Sequence, residues 1–274
     1  MRSLALGILL LSSFGCEQRY DSPPIKPSSP KITPAPNEPS STLAGISILA
    51  WNIESGGSST RTILQQLASD MPKADILALS EVPPEDVSRF AAYYPEGDGI
   101  ACDSSGSDRL TIAWNDRFEL VRRIKLNEAE FAPGRHRAPL IVHLRETATE
   151  RDFIVMNNHL ARGNAELRTK QAQMMVDWAR NQALPIVAVG DYNMDYDFPT
   201  QKGNEAFSAM LIDGIYKWVK PNVFVDTNWS DRDGDGKDNY PDSMLDFVLS
   251  QAQPKVGVCR QKLWCFPTIS PTMR

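Results

Sequence analysis

Four short apolar runs in this chain each lead directly to an acid, an amide or a histidine. Runs of this length are typical of strands that are buried inside a sheet. They cover residues 48–51, 76–80, 153–156 and 186–190, and the polar residues that follow them include Asn52, Glu81, His159, Asp191 and Asn193. Because ligands of α/β folds bind outside the carboxyl ends of the strands, we expect these side chains to converge. Each of them alone is more often a solvated strand-end or turn residue, so the prediction depends on their joint occurrence.

Strand-like and helical patterns alternate along the chain from residue 46 onwards. The clearest helix begins after Asn164, a typical N-cap residue. Its apolar face includes Leu167, Met174 and Trp178. The pattern predicts strands over 46–51, 75–79, 109–114, 118–124, 139–145, 152–158, 185–189 and 245–250, and helices over 60–69, 83–93, 164–182 and 203–213. This mixture predicts an α/β fold of two packed sheets flanked by helices. Asp246 begins its strand, and lies at the same edge as the other polar residues if that strand is antiparallel.

The composition is that of an ordinary globular protein, with 274 residues of which 42% are hydrophobic and 23% charged. The formal net charge of −5 disfavours broad electrostatic capture of nucleic acid or an anionic membrane, but it leaves room for a small phosphate-binding cleft. Four cysteines are too few to build a disulfide framework, and they show no zinc-binding spacing with histidine. The pairing of Cys102, Cys259 and Cys265 stays open.

The N-terminus has the pattern of a targeting segment. Arg2 precedes an apolar run over 4–11 that is too short to span a membrane permanently. Cys16 follows a glycine, as in a bacterial lipoprotein signal, although Ser13 stands where leucine is usual. An ordinary cleaved signal with an incidental cysteine is the alternative. We predict a signal peptide over 1–15, a lipid-anchored tether over 16–42 that is rich in proline and serine, and a folded domain over 43–274.

Five short motifs of the chain together resemble the endonuclease/exonuclease/phosphatase superfamily. They occur in the family order: Trp51-Asn52-Ile53, Leu79-Ser80-Glu81-Val82, Asn158-His159-Leu160 with Arg168 and Gln171 downstream, Gly190-Asp191-Tyr192-Asn193, and Leu245-Asp246-Phe247-Val248. The Gly-Asp-aromatic-Asn block is the most specific of them. The resemblance implies a four-layer α/β sandwich and metal-assisted cleavage of a phosphate ester.

The resemblance also implies a role for each residue at the strand ends. Glu81, with Asn52 beside it, would hold Mg²⁺ or Mn²⁺, because hard divalent cations prefer oxygen ligands and magnesium needs only one or two carboxylates. Asp191 would orient the attacking water, and Asn193 would hydrogen-bond a phosphate oxygen or the metal shell. His159 would stabilise the charge that develops on the phosphate.

The histidine that the family places near the C-terminus is missing from this chain. By resemblance, Asp246 would hold that histidine in the required tautomer. The three histidines present, His136, His143 and His159, all precede Asp246. We therefore expect an incomplete C-terminal strand, through truncation, a shifted frame or genuine divergence, and an impaired phosphodiesterase of nuclease or phospholipase type. The alternative is a non-catalytic, calcium-stabilised binding or structural relative of the same fold.

A second candidate site lies in an acidic loop over 231–242. The loop follows the Ca²⁺-loop template, with acids at its relative positions one, three, five and twelve and glycine at position six. The predicted ligands are Asp231, Asp233, Asp235, Lys237, Asn239 and Asp242. No convincing helix flanks the loop, which favours an isolated Ca²⁺ loop. A solvated acidic loop without an ion is the alternative.

The sequence leaves the substrate open between nucleic acid and a phospholipid headgroup. Its pattern contains no basic stripe for DNA and no exposed apolar hairpin for lipid, and residues 135–137 form only a small basic cluster. We expect a monomer that meets a membrane through its lipid anchor alone. The predicted location is the bacterial cell envelope, periplasmic or at the cell surface, with secretion as the alternative.

Overall fold

Two mixed β-sheets form the centre of the structure, which is a computed structural model. It describes residues 6–13, 45–54, 59–103, 108–133, 136–228, 237–251 and 258–265. The strands in this part of the chain are β1 (Leu6–Ser13), β2 (Ile46–Asn52), β3 (Ile76–Val82), β4 (Asp98–Ala101), β5 (Arg109–Trp114), β6 (Phe118–Ile124), β7 (Leu140–Glu146), β8 (Arg151–His159), β9 (Ile186–Asp197), β10 (Lys217–Trp218), β11 (Ser243–Gln251) and β12 (Val258–Cys265). The helices are α1 (Thr60–Ser69), α2 (Val87–Ala91), α3 (Glu128–Phe131), α4 (Ala165–Arg180) and α5 (Glu205–Met210), with short 3₁₀ turns at Pro84–Asp86 and Ile212–Gly214.

Each sheet contains one parallel pair of strands near its centre. The first sheet has the order β12-β1-β2-β3-β5-β4, and the second has the order β10-β11-β9-β8-β7-β6. β2 is parallel to β3, and β8 is parallel to β9. Because parallel strands end at the same edge of a sheet, Asn52 and Glu81 lie at one edge of the first sheet, and His159 and Asp191 lie at one edge of the second.

Three hydrophobic cores separate four layers of structure. The two sheets meet through one core, in which Ile48 of β2 and Val142 of β7 are buried. Leu49, the next residue of β2, points to the other face, where it packs with Leu67 of α1. On the far side of the second sheet, Met175 of α4 is buried against β8 and β9. The predicted four-layer α/β sandwich of two mixed sheets flanked by helices is confirmed.

The predicted strands and helices are all present, and their bounds differ in places for local reasons. Asn164 caps α4 as predicted, with its side-chain oxygen accepting from the main-chain N–H of Leu167 at 2.9 Å. The predicted helix over 83–93 is a 3₁₀ turn followed by the short helix α2. β9 continues well past the predicted end at residue 189, because the buried side chains of Met194 and Tyr196 extend the alternating pattern. β4, β10 and α3 are short and were not predicted from the pattern.

The apolar run of the predicted signal peptide forms β1, which lies between β2 and β12. The register pairs Leu9 with Leu49 of β2 on one side and with Lys262 of β12 on the other. Cleavage before Cys16, as the signal-peptide prediction requires, would therefore remove one strand from the first sheet. Cys16 itself and the predicted tether lie outside the described residues.

Candidate active site

The strand-end residues of the two sheets come together across the interface between the sheets. The Asn52 Nδ2 group, at the end of β2, donates to Glu81 Oε1 of the same sheet at 3.1 Å. It also donates to Asp191 Oδ2 of the other sheet at 3.1 Å. The amide oxygen of Asn52 accepts from the main-chain N–H of Glu54 at 3.1 Å, which fixes the orientation of the amide. Asn52 thus joins a carboxylate of each sheet into one cluster, as the strand-end pattern predicts.

His159 lies against both carboxylates of this cluster. Its Nε2 atom is 3.8 Å from Glu81 Oε1 and 3.9 Å from Asp191 Oδ2. Burial, followed by the nearby positive charge of Arg137, lowers the pKa of His159 to about 4, while Glu81 opposes the shift. The imidazole is therefore neutral at neutral pH. Its Nδ1 atom is buried and has no hydrogen-bond partner within the described part of the chain.

Asp191 and Asn193 lie within β9, directly after Gly190, and are held there by local hydrogen bonds. Gly190 has φ 121°, and a Cβ atom placed on it would lie 2.2 Å from the main-chain oxygen of Asn158, so a side chain there would collide with the neighbouring strand. Asp191 Oδ1 accepts from the main-chain N–H of Asn193 at 2.9 Å, and Asn193 Nδ2 donates to the Leu160 oxygen at 3.0 Å. This geometry explains why the Gly-Asp-aromatic-Asn block forms a unit.

Positive φ angles mark two residues of the site. Glu81 has φ 56° and Asn193 has φ 51°, in the left-handed region that residues other than glycine rarely adopt. The side chain of Glu81 is 25% exposed, whereas that of Asp191 is 5% exposed. Glu81 is therefore the carboxylate of this pair that solvent or a solute can reach. Strained backbone of this kind concentrates at functional sites.

Asp246 lies beside Asp191 and contacts a threonine. The two aspartates are partners in the antiparallel register of β11 and β9. Burial, followed by the negative charge of Asp191, raises the pKa of Asp246 well above its usual range, and a hydrogen bond from Thr227 opposes the shift. Burial likewise raises the pKa of Asp191. The hydroxyl oxygen of Thr227 also accepts from the main-chain N–H groups of Leu245 at 2.7 Å and Asp246 at 3.2 Å.

Neither of the two upstream histidines, His136 and His143, is a partner of Asp246. His143 Nε2 is 3.2 Å from Asp152 Oδ2, on the strand pair β7 and β8. Burial, with help from the charge of Arg137, lowers the pKa of His136. The contacts and charges recorded for Asp246 involve neither of these histidines. Asp246 therefore orients no imidazole among the residues that the structure describes.

Arg168 and Gln171, which the resemblance singles out on α4, hold the loop that follows His159. Arg168 Nη1 donates to the main-chain oxygens of Ala161 and Arg162, each at 2.8 Å. Gln171 Oε1 accepts from the main-chain N–H of Ala161 at 2.9 Å, and Gln171 Nε2 donates to Phe131 O at 2.6 Å. Both side chains are buried, so their role here is to fix this loop.

Two arginines near the site were missed by the strand-end pattern, because both stand in loops. Arg137 precedes β7 and donates to Asp108 Oδ2 at 2.6 Å, and its charge acts on His159. Arg162 lies three residues after His159, and its charge acts on both His159 and Asp191. Residues 135–137 form a basic cluster in the sequence, but a single sequence does not indicate that one of them lies near His159.

A separate acidic cluster contains Asp226, Asp238 and Asp242, whose carboxylate oxygens lie within 4.8 Å of one another. Burial, with a contribution from Asp238, raises the pKa of Asp226 to about 6, against hydrogen bonds from Asn228 and Ser243. Asp242 belongs to the predicted Ca²⁺ loop. Asp231, Asp233 and Asp235 lie outside the described residues, and the cluster does not include Lys237 or Asn239.

The fold is shared with proteins of the endonuclease/exonuclease/phosphatase family. Three solved structures illustrate the likeness. An endonuclease/exonuclease/phosphatase from Bacteroides vulgatus is 16% identical with a TM-score of 0.56, and covers 70% of this chain and 78% of its own. A humanized D. rerio TDP2 with 14 mutations is 15% identical with a TM-score of 0.59, and the match covers 77% of this chain and 85% of the TDP2 chain. A mannosyl-6-phosphatase of Bacteroides thetaiotaomicron is 16% identical with a TM-score of 0.51, and the match covers 70% of this chain and 76% of the phosphatase chain.

No family model and no curated protein sequence matches the chain. At the identities of the solved structures, the likeness establishes the fold that the motifs imply. Within the described residues, no helix is both long and apolar enough to cross a membrane.

Proposed function

We propose that this chain is a divalent-metal-dependent phosphoesterase that hydrolyses a phosphodiester. The observation that carries the proposal is the cluster in which Asn52 bridges Glu81 and Asp191, with His159 within 4 Å of both carboxylates. A second line of support is the fold, which is shared with structures described as a mannosyl-6-phosphatase and as TDP2.

The residues of the cluster fit a hard divalent cation. Glu81, Asp191 and Asp246 concentrate negative charge, and the charges of the first two raise the pKa of Asp246. Asn193 Oδ1 is buried and has no hydrogen-bond partner in the described part of the structure, so it is a further oxygen available to a ligand. Carboxylate and amide oxygens are the ligands that Mg²⁺ and Mn²⁺ prefer. We assign Glu81 and Asn52 as the residues that would hold Mg²⁺ or Mn²⁺.

When bound, such a cation would neutralise phosphate oxygens and stabilise the leaving oxygen. Asp191 would accept a hydrogen bond from the attacking water and so aim it at phosphorus. His159 is neutral, so it would donate one N–H to a phosphate oxygen rather than supply a full positive charge. Asn193, held by Leu160 and Asp191, would keep its amide at the rim of the phosphate site.

The chemistry of this chain would be slow, because Asp246 has no imidazole to orient. General-base catalysis typically contributes about 10²–10⁴-fold to the rate. A chain that positions metal and phosphate without that base would retain part of the acceleration, since the electrostatic contribution remains. We therefore expect measurable but low turnover.

The calcium proposal concerns the segment from Asp226 to Asp242. Two independent features support it: the spacing of acids in the sequence over 231–242, and the approach of the Asp226, Asp238 and Asp242 oxygens to within 4.8 Å of one another. Ca²⁺ binds six to eight oxygens, so an ion at the cluster would need ligands beyond these three carboxylates, and the spacing of Asp231, Asp233 and Asp235 in the sequence offers candidates. Thr227, next to Asp226, contacts Asp246, so an ion here would order the approach to the active site.

We further propose that the mature chain begins at Cys16 and is lipid-anchored in the bacterial cell envelope. The n-region, the h-region and the glycine before Cys16 support this. The folded domain would act as a monomer at the end of its proline-rich tether, on a nucleic acid or phospholipid headgroup.

The test is Mg²⁺- or Mn²⁺-dependent hydrolysis of bis(p-nitrophenyl) phosphate by the purified full chain. We expect turnover that EDTA abolishes, that Mn²⁺ restores and that Glu81→Gln lowers by about 10²-fold or more. A matched control is Glu119→Gln, an exposed carboxylate on β6. Turnover that is independent of metal, or equal in Glu81→Gln, would remove the proposal.

The second candidate function is a non-catalytic, calcium-stabilised binding or structural domain. The contact of Asp246 with Thr227 in place of an imidazole favours it. Ca²⁺-dependent stability with no hydrolysis of any phosphodiester or phosphomonoester would select this function.

A further inference from the structure

Arg162, three residues after His159, is restrained through both its side chain and its main chain. It belongs to the loop between β8 and α4 and is exposed. Arg162 Nη2 donates to Asn228 Oδ1 at 3.0 Å, and the guanidinium carbon lies 5.6 Å from the centre of the Tyr240 ring. Its main-chain oxygen accepts from the buried Arg168 at 2.8 Å. Both ends of the residue are therefore restrained.

The charge of Arg162 is not neutralised by the groups that hold it. The amide oxygen of Asn228 and the ring of Tyr240 are both neutral. Arg137, the other arginine near His159, differs because it donates to the carboxylate of Asp108 at 2.6 Å. Of these two arginines, Arg162 is therefore the one whose guanidinium is available to bind an anionic ligand.

The exposure of Arg162 places it at the outer side of the reacting centre. The centre is built around Asp191, which is buried, whereas Arg162 is exposed three residues beyond His159. The loop that contains Arg162 begins directly after His159 and is held at Ala161 by Gln171 and Arg168, which keeps Arg162 beside the site. Its positive charge accordingly acts on both Asp191 and His159. A group that meets Arg162 would therefore neighbour the scissile phosphate rather than coincide with it.

We propose that Arg162 binds a second anionic group of the substrate, next to the scissile phosphate, and selects phosphodiesters that carry such a group. This inference rests on the proposed phosphodiesterase function. A guanidinium presents two parallel N–H groups to a phosphate, which makes the contact both strong and directional. A headgroup with a cationic choline would be repelled at the same position. Asn228 and Tyr240 act as positioning residues that aim the guanidinium.

The test uses substrates that differ only in one anionic group. The thymidine dinucleotide TpT contains one phosphodiester, and pTpT and TpTp carry one additional phosphate at either end. We expect the wild-type full chain with Mg²⁺ to bind and hydrolyse one of the two phosphorylated forms about tenfold better than TpT. In Arg162→Gln this preference should disappear, so that the ratio between the constants for the phosphorylated form and those for TpT falls to about one. Arg162→Lys should keep part of the preference, because the charge remains and the bidentate geometry does not.

The positioning residues and a matched control separate this role from a general effect of charge. Asn228→Ala should lower the preference by raising KM for the phosphorylated form, with kcat unchanged, because the guanidinium is present but less well aimed. Arg180→Gln is the control, since Arg180 stands at the opposite end of α4 and pairs with Asp213. A helix of 16 residues is about 24 Å long, so this charge is remote from the site. We expect Arg180→Gln to behave as wild type.

Binding is measured by calorimetry separately from turnover, so that the two proposals can fail separately. If nothing is hydrolysed but pTpT or TpTp still binds better than TpT, the phosphodiesterase proposal fails and the Arg162 site stands. Equal affinities and equal rates for all three dinucleotides overturn the Arg162 proposal, as does a preference that survives in Arg162→Gln. Faster hydrolysis of sphingomyelin vesicles than of the dinucleotides would also overturn it. If a dT tetranucleotide binds better than the preferred dinucleotide, the anionic group belongs to a nucleic acid backbone; equal binding indicates a small phosphorylated molecule.

Discussion

Asp246→Asn is expected to stabilise the fold at neutral pH and to leave activity almost unchanged. Asp246 is buried beside Asp191, its partner in the antiparallel register, and its pKa is raised well above the usual range. Asparagine has the same shape and keeps an oxygen that can accept from Thr227. The substitution therefore removes a buried like charge without opening a cavity or losing that hydrogen bond.

The size of the effect follows from the register. Side chains directly opposite in an antiparallel pair have Cβ atoms about 5 Å apart. Two unit charges at that distance repel by ~3 kcal/mol at an effective dielectric constant of about 20. Because burial and the charge of Asp191 raise the pKa of Asp246, which reduces the charge it carries, we expect a smaller gain of about 1–2 kcal/mol. For a domain of this size that is a rise in Tm of roughly 2–8 °C.

The difference in stability between wild type and Asp246→Asn should depend on pH, in a direction set by the raised pKa of Asp246. A carboxyl group whose pKa is raised in the folded state contributes stability below its unfolded pKa, and this contribution is lost as pH rises through the folded pKa. Wild type should therefore lose stability relative to Asp246→Asn as pH rises. The two proteins should converge below about pH 4, near the unfolded pKa of aspartate.

The assay is thermal unfolding of both proteins in EDTA from about pH 4 to about pH 8, paired with hydrolysis of bis(p-nitrophenyl) phosphate in Mg²⁺. Asp152→Asn is the matched control: the hydrogen bond from Arg145 lowers the pKa of Asp152, against an opposing effect of burial, so this substitution should destabilise the fold. A wild type that is more stable than Asp246→Asn at high pH would refute the electrostatic argument. A loss of activity of about 10²-fold or more would show that Asp246 does position a catalytic group.

The remaining predictions concern the metals, the anchor and the site histidine. Glu81→Gln should weaken Mg²⁺ or Mn²⁺ binding in calorimetry because it removes a ligand charge, and unchanged affinity would place the metal elsewhere. In thermal unfolding, calcium at about 100 Kd should stabilise the protein by ~2.7 kcal/mol. The double variant Asp226→Asn/Asp242→Asn should lose this stabilisation. An equal gain in the double variant would mean that the cluster binds no calcium. Labelled palmitate should enter the full chain in bacteria and not Cys16→Ala, whereas equal labelling would exclude the lipoprotein signal. Burial lowers the pKa of His159 to about 4 in the folded state, so the free energy of unfolding should fall as pH drops below the unfolded pKa of about 6.5, by about 2 kcal/mol at pH 5. Urea unfolding of His159→Gln should show a smaller loss of stability over this range. An identical pH dependence in the two proteins would contradict the burial argument.

The sequence predicts the centre of the site because the strand-end pattern is local. Asn52, Glu81 and Asp191 each follow an apolar run, and parallel pairing brings such ends together. Loop residues have no comparable signal, so the positions of Arg162 and Arg137 follow only from the fold. Asp226 was missed for the same reason, since it lies outside the loop whose spacing resembles a Ca²⁺ site.

β9 shows a second limit of the pattern. The polar residues Asp191 and Asn193 interrupt its apolar character, and they were predicted to follow the strand rather than to lie within it. Between them, Tyr192 packs in the apolar core, and its hydroxyl accepts from Asn158 Nδ2 at 2.9 Å, so the strand continues although its two polar neighbours break the apolar run. A strand that carries a site on one face breaks the alternation by which strands are recognised.

Several energetically unfavourable features of this structure lie together at the candidate active site, and this bears on the choice between the two candidate functions. Two residues with left-handed backbone, Glu81 and Asn193, stand within the same cluster as the buried carboxylates of Asp191 and Asp246. Each of these features destabilises the fold by itself, and the surrounding cores compensate for them. A domain that served only to bind or to support would be more stable with apolar or uncharged residues at these positions. A divalent cation and a phosphate would convert the same carboxylates and the neutral imidazole into ligands and donors. The arrangement therefore favours the proposed phosphoester chemistry over a purely structural use of the fold. On that proposal, the lack of an imidazole beside Asp246 would lower the rate, while the rest of the site would still be required.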